Sequence, residues 1–184
     1  MNDHLHLAFC CIASIVFATS ALGKARAPQE FAAAVRQMRI APERLTGPIV
    51  TAVPLGEAAL ALAVWVPAVA AWAFAAAVGL TAVFTAVLVS VIRRGIDTAC
   101  SCFGVSSAPV GPAHVIRNAA LLLVVAAGFA SALISDSGEA FWPPFPDALF
   151  SLFAAAFASI LIMATDVLSE IFSGTNKASS RTQS

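Results

Sequence analysis

Apolar residues occur along this chain in long runs that short polar stretches separate. Runs of about twenty apolar residues are long enough to cross a bilayer as α-helices. The pattern predicts five such spans, at residues 5–22, 48–66, 68–92, 112–134 and 147–171. We therefore predict an all-α fold, a polytopic membrane helix bundle forming one domain over residues 1–172. A polar tail at residues 173–184 is predicted to be disordered.

The first span competes with a cleaved signal peptide, because small residues follow it. The four residues that precede it contain no Lys or Arg. A signal peptide requires a positive region there, so we predict a retained span.

A shorter segment, residues 28–40, has the pattern of an amphipathic helix. Its apolar residues recur at helical spacing on one face: Phe31, Val35 and Met38. Pro28 suits the first helical turn, whereas Arg36 and Arg39 lie off the apolar face. The pattern predicts a short interfacial helix whose arginines meet lipid headgroups. The alternative is a loop with a partial helix.

Composition strengthens the membrane prediction and removes other classes. Of the 184 residues 60% are hydrophobic and 11% are charged, against about 25% charged in a typical soluble domain. The formal net charge is zero, so no basic surface for nucleic acid is expected. The sequence also lacks a nucleotide-binding glycine motif and a Ser/His/Asp arrangement that would indicate a hydrolase.

The basic residues predict an orientation in the membrane. All ten Lys and Arg fall on one side of the five-span arrangement: Lys24, Arg26, Arg36, Arg39, Arg44, Arg93, Arg94, Arg117, Lys177 and Arg181. Basic loops stay in the cytoplasm. We therefore expect a multi-pass inner-membrane protein with a periplasmic N-terminus, and with the loop between spans three and four and the tail in the cytoplasm.

That loop carries two thiols, Cys100 and Cys102, separated by one residue. A bent backbone can bring their Cα atoms within disulfide range, and a small strained disulfide is easily reduced. The spacing predicts a redox pair. The alternatives are idle or structural thiols, or a metal site, for which His114 would give a third ligand where zinc requires four. A second pair, Cys10 and Cys11, lies in the first span and is interpreted as small apolar residues.

Two further side chains are candidates for the site. Arg117 shares a helical face with His114 at the start of span four, where its charge would raise the thiolate fraction of a nearby cysteine. Alternatively it anchors the helix at headgroup level.

Glu57 lies inside span two, where an ionisable group is costly. It is interpreted as a proton-handling or helix-locking carboxyl, or as a protonated acid paired with a backbone carbonyl.

Several of these features occur in one order: Gly23-Lys24, the amphipathic segment, Glu57, Cys100-x-Cys102-Phe103-Gly104 and Arg117-Asn118. In this respect residues 5–135 resemble the MauE family of methylamine utilisation proteins, within a larger MauE/DoxX-like group of redox-associated membrane proteins. The resemblance implies a role in processing or maturing the small subunit of periplasmic methylamine dehydrogenase. It also implies a thioredoxin-like partner, MauD. It brings no established cofactor or catalytic residue. A quinone is left open as an alternative cofactor, although nothing in the sequence supports it.

Three function classes follow. In the first, the chain is a membrane thiol–disulfide oxidoreductase whose active pair is Cys100 and Cys102. In the second, it is a non-redox assembly or export factor that docks the dehydrogenase subunit or MauD. A transporter is the least favoured, because only Pro54, Gly56 and Glu57 indicate the broken helix that it needs.

The expected partners are the small subunit, MauD and membrane lipid, with no nucleic acid. The client is periplasmic while the thiol loop is predicted cytoplasmic, so the thiols either relay electrons across the membrane or serve another purpose.

Overall fold

The computed structural model describes residues 2–96, 111–134 and 156. Within them the chain forms five α-helices and one short 3₁₀ helix (Glu43–Leu45): α1 (Asn2–Arg26), α2 (Pro28–Gln37), α3 (Thr46–Ala63), α4 (Pro67–Arg93) and α5 (Pro112–Ile134). Four segments are long and apolar enough to cross a membrane: α1, the 3₁₀ helix with α3, α4 and α5. The predicted all-α polytopic fold is confirmed. The fifth predicted span, at 147–171, and the tail at 173–184 lie outside the described residues.

Prolines set two helix boundaries. Helix α1 continues past the predicted end at residue 22 to Arg26, and Pro28 then opens α2. Helix α3 ends at Ala63 rather than near residue 66. The residue before a proline is driven to extended backbone, and Val66, before Pro67, has φ −99° and ψ 108°. The helix therefore ends several residues before the proline that begins α4.

Helix α1 lies at the centre of the bundle. It packs against α3 and α5, and α4 packs against α5, whereas α3 and α4 contact one another less extensively. Much of the buried core comes from one side of α1, with Leu7, Cys10, Ala13, Val16 and Phe17 all buried. A chain without this helix would leave the facing surfaces of α3 and α5 uncovered, which favours its prediction as a retained span.

Helices α4 and α5 approach closely at a glycine. A Cβ atom added to Gly128 would overlap the ring of Phe74, a residue with no exposed surface. Residues without side-chain bulk allow helices in a membrane to come together. This crossing therefore requires glycine at position 128.

The amphipathic helix forms as α2, but its apolar face contacts protein. Phe31, Val35 and Met38 are buried, while Arg36 and Arg39 are exposed. The side chain of Met38 packs with Leu88 and Val91 of α4, and Arg94 Nη2 donates a hydrogen bond to the Met38 carbonyl at 2.7 Å. Helix α2 thus closes one end of the bundle.

Candidate functional site

A buried ion pair joins α1 to α3. Lys24 Nζ lies 2.7 Å from Glu57 Oε1 and 2.8 Å from Oε2. The two residues are 2% and 1% exposed, so neither charge has bulk water to solvate it. Burying one charge in a membrane is costly, and a partner at hydrogen-bond distance offsets that cost. The pair therefore links α1 to α3 through a contact whose loss would leave a buried charge without its partner.

Helical spacing adds Ser20 to the same network. Ser20 lies four residues before Lys24, so both side chains share one face of α1. Lys24 Nζ donates to Ser20 Oγ at 2.6 Å, and Ser20 Oγ donates to Glu57 Oε1 at 3.0 Å. The ammonium also lies 5.3 Å from the ring centroid of Phe84 and 5.7 Å from that of Phe31. These are cation–π distances, so aromatic rings from α2 and α4 complete the surroundings of the ammonium.

The ion pair forms part of the wall of a cavity of about 250 Å³. Apolar side chains of all five α-helices supply most of the lining. Polar groups contribute at a few points: Ser20, Lys24, Glu57, Thr81, Arg117 and Asn118. Among the described residues Thr81 Oγ1 is buried without a hydrogen-bond partner, and the residue is 2% exposed. The cavity is therefore apolar in its bulk and polar at fixed positions.

With this geometry in place, the comparisons with known proteins assign the chain. The model of the methylamine utilisation protein MauE family matches residues 2–131. The chain belongs to the MauE family. A methylamine utilization protein MauE from Paracoccus denitrificans is 33% identical over 132 residues, covering 68% of this chain and 70% of that protein. No solved structure matches.

The MauE match spans the ion pair, the cavity and both loop thiols, and it confirms the resemblance seen in the sequence. The loop thiols Cys100 and Cys102 lie outside the described residues, so their role stays a prediction. The structure places Glu57 and Arg117 on one cavity, although 60 positions separate them in the sequence.

The contacts of Glu57 and the burial of Arg117 each differ from one alternative that the sequence had offered for that residue. Glu57 pairs with the Lys24 ammonium rather than with a backbone carbonyl. Lys24, interpreted from the sequence as a basic residue of the loop after span one, is a buried member of the bundle. Arg117 is 3% exposed, so its side chain faces the interior and not the lipid headgroups.

Sequence reasoning did not find three residues of this site: Ser20, Lys24 and Thr81. The spacing of Ser20 and Lys24 on one helical face, with an acid in the following span, was the available signal. Thr81 gave none, because a threonine in a spanning helix usually bonds its own backbone. Within the part of the chain that the structure describes, no group of His, Cys, Asp and Glu could hold a metal ion.

A second buried network lies near the other end of α1 in this MauE-family protein. Cys10 Sγ donates to the Val64 carbonyl at 3.3 Å and lies 3.6 Å from His6 Nε2. Ser131 Oγ is 2.8 Å from His6 Nδ1 and 2.8 Å from the Gly128 carbonyl, so its hydrogen can bond either one. These neutral contacts join α1 to α5 and to the turn after α3. Cys10 and Cys11 are both buried free thiols.

Proposed function

We propose that this MauE-family protein supports maturation of the small subunit of periplasmic methylamine dehydrogenase, through thiol–disulfide exchange at Cys100 and Cys102. The family match over residues 2–131 carries this proposal, because it includes both thiols together with the helices that flank them. The flanking residues are suited to the chemistry. Arg93 ends α4 and Arg94 caps it, so two cations directly precede the loop and would favour a thiolate. Arg117, in the second turn of α5, is buried at the cavity wall, and it would support a thiolate only where a thiol reaches that wall.

The exchange proceeds through a mixed disulfide. A thiolate of a partner dithiol attacks the Cys100–Cys102 disulfide, and one of its sulfurs leaves as a thiolate. The second partner thiol then attacks the mixed disulfide. The partner gains a disulfide and loses two electrons and two protons, while Cys100 and Cys102 become thiols. A thioredoxin-like protein in its disulfide form would reoxidise the pair by the same steps in reverse and would itself become a dithiol.

Serine substitutions at the two loop cysteines test the proposal. Either single variant should abolish the active dehydrogenase in cells grown on methylamine, because exchange needs both sulfurs, and membrane abundance should be unchanged. A single variant should also accumulate a mixed disulfide with the protein that reoxidises the pair, since the loop thiol that would resolve it is missing. Cys11→Ser provides a matched control at a buried free thiol.

The double serine variant gives the opposing result. If it supports a fully active dehydrogenase, the loop thiols are bystanders. A non-redox assembly or export factor would then be the better account, with the bundle acting as a docking surface for the dehydrogenase subunit or a thioredoxin-like partner.

We further propose an inner-membrane location with the thiol loop on the cytoplasmic side. The support is the set of basic residues at the ends of α1 and α4 and along α2. A cytoplasmic loop requires a relay to the periplasmic client, whereas a periplasmic loop would permit direct exchange. Labelling intact cells with a membrane-impermeant thiol reagent should leave Cys100 and Cys102 unmodified. Ready labelling from the periplasm would overturn the orientation and favour direct exchange.

A further inference from the structure

The cavity beside the ion pair reaches the outer surface of the bundle between α3 and α4. Val53 of α3 is half-buried, and Val83 of α4 is 60% exposed, yet both line the cavity. These two helices contact one another less extensively than the neighbouring pairs do. In a membrane, an opening on the side of a helix bundle faces lipid. As far as the described helices are concerned, the cavity is therefore open to molecules dissolved in the bilayer.

The size of the cavity limits what can enter it. An apolar cavity of about 150 Å³ inside a protein is enough to hold benzene. At about 250 Å³, this one can hold a substituted six-membered ring or the first part of a lipid chain, with the remainder passing out through the opening. Its walls contain Phe17, Phe31 and Phe84, which suit a flat or apolar occupant.

The polar groups of the cavity wall indicate which polar group the bound molecule carries. Lys24 and Glu57 neutralise one another, and Arg117 has an interaction partner of its own, so these groups do not call for a charged ligand. Thr81 carries the decisive group: the residue lines the cavity, and its Oγ1 atom is buried with no hydrogen-bond partner among the described residues. A buried hydroxyl left unsatisfied is costly, and a hydrogen-bond acceptor in the cavity would satisfy it. The Asn118 side chain lines the same space and has an amide N–H donor to offer.

We propose that this cavity binds a neutral, carbonyl-headed lipophilic molecule from the membrane, with the carbonyl oxygen accepting a hydrogen bond from Thr81. A ring ketone, as in a membrane quinone, and the ester of a glycerolipid share this chemistry. The cavity lies among the described helices and does not include the thiol loop. The proposal therefore stands or falls separately from the proposed thiol exchange.

Binding to the purified full-length chain in lipid nanodiscs tests the proposal. The two probes are decyl-benzoquinone and a medium-chain monoacylglycerol, each measured by the ligand-induced rise in thermal stability. At least one probe should bind saturably, and the one that binds identifies the source of the carbonyl. Decane, which has the chain but no carbonyl, should bind more weakly than that probe.

Variants of Thr81 then assign the binding to this cavity. Thr81→Val keeps the shape and removes the hydroxyl, so affinity should fall about fivefold, the effect of one neutral hydrogen bond. Thr81→Ser should retain it. The matched control is Thr85→Val, one turn further along α4, where the hydroxyl already donates to the Thr81 carbonyl at 2.7 Å. Its affinity should equal that of the unmodified protein.

Three outcomes would overturn the proposal. In the first, neither probe produces a saturable shift, which is also the result expected if residues 147–171 of this chain cover the opening. In the second, decane binds as well as both probes. In the third, Thr81→Val binds as tightly as the unmodified chain while its unliganded stability is unchanged.

Discussion

Two polar networks are buried along α1, and they differ in charge. Near one end, His6 and Cys10 make neutral contacts with Ser131 and the Val64 carbonyl. Near the other, Lys24 and Glu57 form an ion pair. The residues Cys10 and Lys24 are separated by about 21 Å along the helix axis, at 1.5 Å per residue. One helix therefore contacts its neighbours by two different kinds of polar interaction.

This difference in charge determines how strongly each network is destabilised when one of its residues loses its partner. A neutral group that loses one partner can turn to a backbone carbonyl or a neighbouring hydroxyl. Neutral hydrogen bonds between membrane helices accordingly contribute only about 0.6 kcal/mol on average. A buried charge has no such substitute, and removing one partner of a buried pair costs about 3–5 kcal/mol. We therefore expect the charged network to control the stability of the bundle, and the neutral one to refine it.

The largest effect is expected from Glu57→Lys. It places two ammonium groups in one buried site, where a single unpaired charge already costs about 2.5–3.5 kcal/mol on insertion scales. The variant should fail to accumulate in the membrane, as measured by the abundance of the membrane-inserted protein. Glu57→Gln should be milder, because it leaves Lys24 without its counterion but adds no second cation.

Glu43→Lys controls for the change in charge. It makes the same substitution at an exposed position of the 3₁₀ helix, so its abundance should be close to that of the unmodified protein. Equal abundance of Glu57→Lys and Glu43→Lys would contradict the importance of burial. If Glu57→Gln instead inserts normally and loses all function, proton transfer becomes the better explanation for this carboxyl.

A smaller effect is expected from Ser131→Ala in the neutral network. It removes the hydroxyl beside His6 Nδ1 and should lower the free energy of unfolding by about 0.6 kcal/mol. Reversible unfolding in mixed micelles would measure the change, with Ser90→Ala, at an exposed position on α4, as the control. A loss of about 3 kcal/mol would show that the two networks are energetically alike.

The fold could be predicted further from the sequence than the site could. Continuous apolar runs and the spacing of Phe31, Val35 and Met38 were sufficient for the four described spans and for α2, because both signals are local. The partner of Glu57 was not local. Lys24 lies at the end of an apolar run, where a basic residue normally extends to water. That it turns inward depends on how α1 and α3 pack, which no local pattern records.

The cavity illustrates the same limit. Thr81 comes from α4, whereas Arg117 and Asn118 come from α5, and all three line one cavity. Their separation in the sequence gave no reason to group them, and the position of α2 over the cavity follows from tertiary contacts with α3 and α4. The sequence indicates Glu57 and Arg117 for separate reasons, and packing brings both residues to one cavity.

A double-mutant cycle on Lys24 and Glu57 tests most directly whether the pair acts as one unit. The variants are Lys24→Met, Glu57→Gln and the two combined, each measured as the free energy of unfolding in mixed micelles. Each single change should cost about 3 kcal/mol, because it leaves one buried charge without its partner. The combined variant leaves neither charge and should cost less than the sum of the two by about 2 kcal/mol or more. Additive costs would contradict the account, since they would mean that the two residues contribute independently.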